Sequence, residues 1–328
     1  MTRDDVIRLF PGKLRDILVK ASWKPEKLQE IRLRCGKPLI MWLEGKEYFL
    51  TEQGMLTRHK KLAYCIQEKE IQSTLEYLGQ YSLYAFEEEL RQGFLTIQGG
   101  HRVGVTGKTI VDGKKIKGVH QISCINIRFS HEILGCADFI LPYVIQENQI
   151  CHTLIISPPR CGKTTLLRDL IRQISDGTEE FYGCTVGVVD ERSEIGGCYQ
   201  GIPQNDVGIR TDILDCCPKS EGMVMLLRSM SPTVIAVDEI GNYEDINAIE
   251  MTLHCGCKLL ATVHGSSIEE IQKKPLLERL LKEHAFERYI ILKSHVDYSQ
   301  NNVEKIYDSR GTCLYQRESL GRMLEGEI

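Results

Sequence analysis

Between Leu154 and Leu167 the chain reads LIISPPRCGKTTLL. Its stretch Ser157, Pro158, Pro159, Arg160, Cys161, Gly162, Lys163, Thr164 departs at one place from the pattern Gly, any four residues, Gly-Lys-Ser/Thr: a serine stands at the first glycine. The chemistry of such a loop sits mostly in its second half. Backbone amides from Cys161 to Thr165 can point at phosphate oxygens, and the start of the following helix adds partial positive charge. Gly162 lets the backbone approach closely. Lys163 can reach the β- and γ-phosphates of ATP, and the Thr164 hydroxyl can ligate Mg²⁺. Pro158 and Pro159 have no amide hydrogen, but they precede the amides the cradle needs and so stiffen its entry without removing donors. The strand-like TLIIS before the loop and the amphipathic stretch after it supply the context that a chance match lacks. The loop is expected to bind nucleotide.

Three further strand-like runs end in residues able to complete such a site. TVIAVDEIG ends in Asp238 and Glu239: the first is placed to hold Mg²⁺, the second to orient and deprotonate an attacking water. TVGVVDERSE ends in Asp190 and Glu191, with Glu194 just beyond, and LLATVHG ends in Thr262 and His264. Any one of these alone is the ordinary polar end of a strand. Together they fit a second acidic group near the water and a histidine sensing the γ-phosphate, because ligands of open parallel sheets collect at the carboxyl ends of the strands.

The elements that must carry these residues fall into two kinds. From Leu28 to Leu50 short apolar runs alternate with Gly36-Lys37-Pro38 and Gly45-Lys46, which predicts three short antiparallel strands. Ile71, Leu75 and Leu78 predict a helix from about Gln67 to Leu90. Asp112-Gly113, inside alternating sequence, predicts a hairpin, and INIRFS is expected to close that sheet. After Gln149 the strands are continuous aliphatic runs (TLIIS, TVGVVD, TVIAVD, KLLATVHG, YIILK) separated by helices, the pattern of a parallel sheet buried on both faces. Asn242 is a candidate cap for one helix, and Ser267 with Glu270 for another. The expected class is α/β: a small α+β domain over 1–135, a linker over 136–149, a mostly parallel core over 150–295 and a polar tail over 296–328.

Bulk composition narrows the function. The chain of 328 residues carries a formal net charge of −4, without the basic excess that marks a general nucleic-acid binder. No apolar run approaches the roughly 18 residues that span a bilayer. Cysteines number 13, an odd count scattered through apolar stretches, which is a reduced, cytoplasmic pattern. Neither Cys216-Cys217 nor Cys255-Gly-Cys257 has the spacing of a zinc site.

The order of cradle, VDERSE, VDEIG and ATVHG resembles the secretion-superfamily ATPases, AAA-type P-loop motors of type II and type IV secretion and pilus systems. The N-terminal EIRLRCGKPLIMWLEG and GHRVGVTG resemble parts of their N-terminal domain. SPPRCGKTTLLRDL, VDERSEIGGCYQG, GIRTDILDCCPKSEGM and RSMSPTVIAVDEIG resemble, more narrowly, the stage III sporulation AA family of endospore-forming bacteria. The resemblance implies a RecA-like P-loop ATPase core and a homo-oligomer, a hexamer in that family of motors. It also implies work in the mother-cell cytoplasm, with small membrane proteins recruiting the motor to a channel between mother cell and forespore. By the same resemblance Arg102 contacts nucleotide phosphate across a subunit boundary; Arg128, Arg192, Arg210 and Arg228 are further candidates for an arginine acting in trans. Two features depart from the pattern: Asp238 stands where the secretion ATPases usually carry glycine, and their tetracysteine zinc domain is missing. A nucleic-acid-stimulated P-loop ATPase and a non-hydrolysing nucleotide-dependent scaffold are the alternative readings.

Overall fold

The computed structural model describes residues 1–79, 93–113, 115–293 and 302–317. They form two units, Met1–His131 together with Gly197–Gln204, and Glu132–Gly196 together with the residues from Asn205 onward.

In the first unit, helices α1 (Arg3–Ile7) and α2 (Gly12–Lys20) precede strands β1 (Leu28–Arg34), β2 (Ile40–Leu43), β3 (Lys46–Leu50) and β4 (Leu56–Thr57). Helix α3 (Glu68–Leu78) follows, then β5 (Phe94–Ile97), β6 (His101–Asp112) and β7 (Lys115–Arg128). The three strands expected from Leu28 to Leu50 are present as β1 to β3. The sheet is antiparallel, in the order β4-β3-β2-β1-β7-β6-β5. The hairpin at Asp112-Gly113 joins β6 to β7, and Gly113 supplies the positive φ of 60° that the turn requires. INIRFS does not close the sheet at an edge: Ile125 to Arg128 pair with β1 on one side and β6 on the other. The reason is its apolar content, since Ile125 and Ile127 are fully buried at the sheet's centre. Helix α3 starts where expected, with Gln67 and Glu70 forming a reciprocal cap. The later part of that expected helix lies outside the described residues. Gly197–Gln204 contributes Tyr199 to this unit's core, and the Gly99 amide donates to Gln204 Oε1 at 3.0 Å.

The second unit begins with α4 (Leu141–Val144) and a small hairpin, β8 (Ile145–Gln146) and β9 (Gln149–Ile150). Strand β10 (Thr153–Ser157) leads into α5 (Lys163–Asp176), then β11 (Val186–Asp190), β12 (Thr211–Asp215) and α6 (Lys219–Ser229). The chain continues through β13 (Val234–Val237), α7 (Tyr243–His254), β14 (Lys258–His264), α8 (Ile268–Gln272) and α9 (Pro275–Lys282). Strands β15 (Arg288–Leu292), β16 (Val303–Asp308) and β17 (Cys313–Gln316) follow. The eight strands run in the order β12-β11-β13-β14-β10-β15-β16-β17; the first six are parallel and the last two antiparallel.

The aliphatic strands lack polar alternation because both faces are covered. Ile155, Val188 and Ala236 face a cluster built on Leu166, Leu167, Leu170, Ile171 and Ile174 of α5. Their neighbours Ile156, Val189 and Val237 face a second cluster built on Met223, Leu226, Ile246 and Ile249 of α6 and α7. Burying each such side chain contributes about 1.5–3 kcal/mol, which the amphipathic helices can harvest only by lying flat on the sheet. Asn242 caps α7 and Ser267 caps α8 as expected. Three segments differ from expectation. Residues 136–149, expected as a linker, place Ala137, Ile140 and Val144 fully inside the core. Residues from 303 to 316, within the expected polar tail, add β16 and β17 to the sheet. Strand β12 escapes a periodicity search because all five of its residues are only half-buried, on an edge.

Candidate nucleotide site

Parallel pairing brings the carboxyl ends of β10, β11, β13 and β14 to one edge of the sheet. The loop after β10 turns into α5 at Gly162, whose φ of +84° makes it the left-handed cap of the helix. A β-carbon there would meet only Asn302 Nδ2, at 3.8 Å, so glycine is required by conformation while the space above it stays open. Arg160 also has a positive φ, 62°. Ser157 does not, and this explains why serine can stand at the first glycine: its hydroxyl donates to the Pro158 carbonyl at 2.8 Å, and its own carbonyl accepts from the Gly265 amide at 3.1 Å. Pro158 and Pro159 lie ahead of the helix, and the Cys161 thiol points back to the Pro159 carbonyl at 3.4 Å. Thr165 lies in the first turn of α5, its carbonyl accepting from the Cys136 thiol.

Lys163 is buried, and its Nζ lies 2.5 Å from Glu239 Oε1 and 3.7 Å from Asp238 Oδ1. Thr164 Oγ1 donates to Asp238 Oδ2 at 2.6 Å, while the Thr262 hydroxyl donates to Asp238 Oδ1. Glu239 is held from every side. Its amide donates to Thr262 Oγ1 at 2.9 Å, Arg192 Nη1 donates to its Oε2 at 2.7 Å, and His264 Nε2 lies 2.9 Å from its Oε1. Its backbone sits in the left-handed region at φ +55°, a conformation that costs a non-glycine residue about 1 kcal/mol or more. Burial pushes its carboxyl up, but Lys163, then Arg192 and His264, outweigh that and hold it below the usual glutamate range. His264 Nδ1 is buried without a hydrogen-bond partner.

Asp190 is tied into the turn that follows its strand. Its side chain is 2% exposed, and its two oxygens accept from the amides of Glu194 at 2.8 Å, Ile195 at 2.8 Å and Gly196 at 2.9 Å. Burial pushes its carboxyl up to about 6, against the pull of those amides. The residue thereby shapes the turn after β11. Arg168 of α5 helps, donating to the carbonyls of Ile195 and Glu194, each at 2.6 Å. Glu191, the next residue, accepts from the buried Lys219. A pocket at this edge is lined by Asp190, Glu191, Arg192, Glu194, Lys219, Asp238 and Glu239.

Lys163, Thr164, Asp238, Glu239 and His264 therefore meet around one set of hydrogen bonds, and Glu191 lines the adjoining pocket. Arg102 lies in the other unit, on β6, its guanidinium 3.6 Å from the centre of the Phe94 ring. Of the other arginines, Arg192 is on Glu239, Arg210 caps the end of α5 through the Ser175 and Asp176 carbonyls, and Arg128 lies 3.9 Å from Glu30. Lys219 and Arg168 fall inside the stretches GIRTDILDCCPKSEGM and SPPRCGKTTLLRDL, but neither is assigned a role there. Thr164 and Asp238 offer hard oxygen donors of the kind Mg²⁺ prefers when phosphate supplies the rest. Among the described residues no group of three or more His, Cys, Asp or Glu side chains could hold a metal. All thirteen cysteines are unbridged.

The model of the family described as Sporulation stage III, protein AA matches residues 1–314. The chain belongs to this family. A member from Bacillus subtilis (strain 168), Stage III sporulation protein AA, is 40% identical over 315 residues, which span 95% of this chain and 97% of that protein. SEEDLING PLASTID DEVELOPMENT 1 of Arabidopsis thaliana is 26% identical over 281 residues, 85% of this chain but 36% of the plant protein. Among solved structures, the ATPase DotB of Legionella pneumophila superposes with a TM-score of 0.53 at 16% identity, covering 89% of this chain and 77% of DotB. The pilus retraction motor PilT, solved with bound ADP, gives 0.53 at 14% identity, over 81% of this chain and 74% of PilT. This member of the sporulation family thus shares the α/β fold of secretion and pilus ATPases, with a RecA-like core.

Proposed function

We propose that this protein is a Mg²⁺-dependent ATPase of the secretion-motor type that energises the channel between mother cell and forespore. The observation that carries the reading is the meeting of Thr164 with Asp238 and of Lys163 with Glu239 at one edge of a parallel sheet, at the N-terminus of α5, where helix amides favour an anion.

In this arrangement phosphate oxygens take the amides from Cys161 to Thr165, and Lys163 turns from Glu239 to the β- and γ-phosphates. Thr164 and Asp238 would hold Mg²⁺, which supplies charge neutralisation on the phosphates when bound. Once Lys163 leaves, Glu239 keeps Arg192 and His264 but loses the cation that most depresses its carboxyl, so it becomes a better proton acceptor at Oε1. The unpartnered His264 Nδ1 and the ring's contact with Glu239 fit a residue that reports the γ-phosphate. Glu191 supplies a second carboxylate to the pocket's lining.

By likeness to the secretion motors, subunits assemble into a ring of six, and Arg102 completes a neighbour's site. Family membership supports work in sporulation, on the cytoplasmic side of the mother-cell membrane with small membrane proteins of the channel. No helix among the described residues is long and apolar enough to cross a membrane. The direct test is phosphate release from MgATP by the full chain. Wild type should turn over ATP and Lys163→Ala should lose both nucleotide binding and turnover; equal activity in the two proteins would refute the assignment.

A further inference from the structure

Lys219 is a buried cation that the reaction as described above does not use. Its side chain is 7% exposed, and it is ion-paired with Glu191, which is 39% exposed and lines the same pocket as Asp238 and Glu239. The burial follows from the helix. Lys219, Gly222, Met223 and Leu226 form the inward stripe of α6 at positions i, i+3, i+4 and i+7. Gly222 sets the depth: a β-carbon there would meet Val189 Cγ1 at 2.5 Å, so α6 rests almost directly on β11. One turn earlier on the same face, Lys219 is thereby carried over the tip of β11, where Asp190 ends the strand and Glu191 begins the loop. The Cys216 amide closes the same tip by donating to the Asp190 carbonyl at 2.8 Å. A lysine whose ammonium served packing alone would snorkel to water, since its desolvation is costly and the stem is long enough to escape.

We infer that Lys219 is a positioning residue of the hydrolysis site: it holds Glu191 Oε2 and leaves Oε1 as the oxygen available to the pocket that Asp238 and Glu239 share. This rests on the ATPase reading above and deepens it. Glu191 on its own is a loop side chain with many rotamers, and tying one oxygen to a buried ammonium fixes the other at the place where water and γ-phosphate must meet.

The test is steady-state MgATP hydrolysis by the full chain carrying Lys219→Met, Lys219→Arg, Glu191→Gln or the first and third together. Each of Lys219→Met and Glu191→Gln should lower kcat by about 10-fold or more while KM stays within about 2-fold, because the lost interaction acts in the transition state and not in binding. The double variant should be no slower than the slower single, since both remove one unit. Lys219→Arg should recover most of the rate. A wild-type kcat in Lys219→Met, or losses that multiply in the double variant, overturns the inference. Should Lys219→Met not fold, a wild-type rate in Glu191→Gln overturns it equally, and a slow Glu191→Gln with an active Lys219→Arg supports it. A wild-type chain that hydrolyses no ATP would instead sink the ATPase reading itself.

Discussion

Thr164 Oγ1 and Asp238 Oδ2 lie 2.6 Å apart although 74 positions separate them in the chain. The first is the second residue of α5 and the second follows β13, and their meeting is a consequence of strand order. With β10, β14 and β13 side by side and parallel, whatever follows β10 must face whatever follows β13. Thr262, at the end of the intervening β14, locks the pair by donating to the other oxygen of Asp238.

The Thr164–Asp238 pair predicts how metal is used. Thr164→Val keeps the size of the side chain and removes the hydroxyl. It should raise the Mg²⁺ concentration needed for half-maximal hydrolysis by roughly 10-fold or more, the scale on which ligand-shell losses act. Nucleotide binding without Mg²⁺ should change little. A Mg²⁺ titration of phosphate release reads the effect, and an unshifted midpoint would remove Thr164 from the metal site.

Glu239 predicts a separation of binding from turnover. Glu239→Gln retains shape and the hydrogen bond to Arg192 but cannot take a proton, so the rate should fall by roughly 10²- to 10⁴-fold. It also releases Lys163 from its ion pair, so affinity for ATP should be equal or higher. Rapid filtration with labelled ATP, beside a turnover assay, tests both halves. Hydrolysis at the normal rate would show that another group is the base.

Much of the site was legible because its residues are tied to backbone features with a sequence signature. Gly162-Lys163-Thr164 marks a strand-to-helix turn, and TVIAVD is a strand buried on both faces, so Asp238 and Glu239 had to emerge at its tip. Asp190 and Asp238 look alike in the sequence. Both are acids after an aliphatic run, and only the three amides converging on Asp190 separate a turn-shaping carboxylate from one open to ligand. The strands after residue 302 were hidden by composition, since Val303 and Ile306 are buried while the rest of β16 is half-exposed. The part played by Lys219 was not legible although GIRTDILDCCPKSEGM contains it, because burial of a lysine depends on how closely α6 approaches β11, a distance set by Gly222.

That approach predicts a packing defect. In Gly222→Ala the new methyl would meet Val189 Cγ1 at 2.5 Å and Cys217 Sγ at 3.0 Å. Val189 is a stiff, fully buried β-branched residue and cannot yield cheaply. The helix must lift instead, so stability should fall by about 1–3 kcal/mol although alanine is the better helix former. Urea unfolding measures the loss through its midpoint, and a midpoint equal to or above that of wild type would show that α6 does not bear on β11 as described.

Asp190 predicts a pH dependence of the opposite sign to that of an ion-paired carboxylate. Its folded value, about 6, lies above the ordinary 3.8 because burial disfavours the charge. Between those values the folded chain holds a proton that the unfolded chain has released, so this residue's contribution to stability declines as pH rises from about 4 to about 6 and is flat above. The whole swing is at most about 3 kcal/mol. Asp190→Asn has no such titration and also turns an amide donor toward backbone donors, so it should be less stable at every pH and lack the declining limb. Urea midpoints for the two proteins across pH 4.5 to 7.5, with carboxyl carbon shifts following Asp190 directly, separate the effects. An Asp190 titration centred below the ordinary aspartate value would mean that the three amides outweigh burial, and the turn after β11 would then be stabilised, not taxed, by the charge at neutral pH.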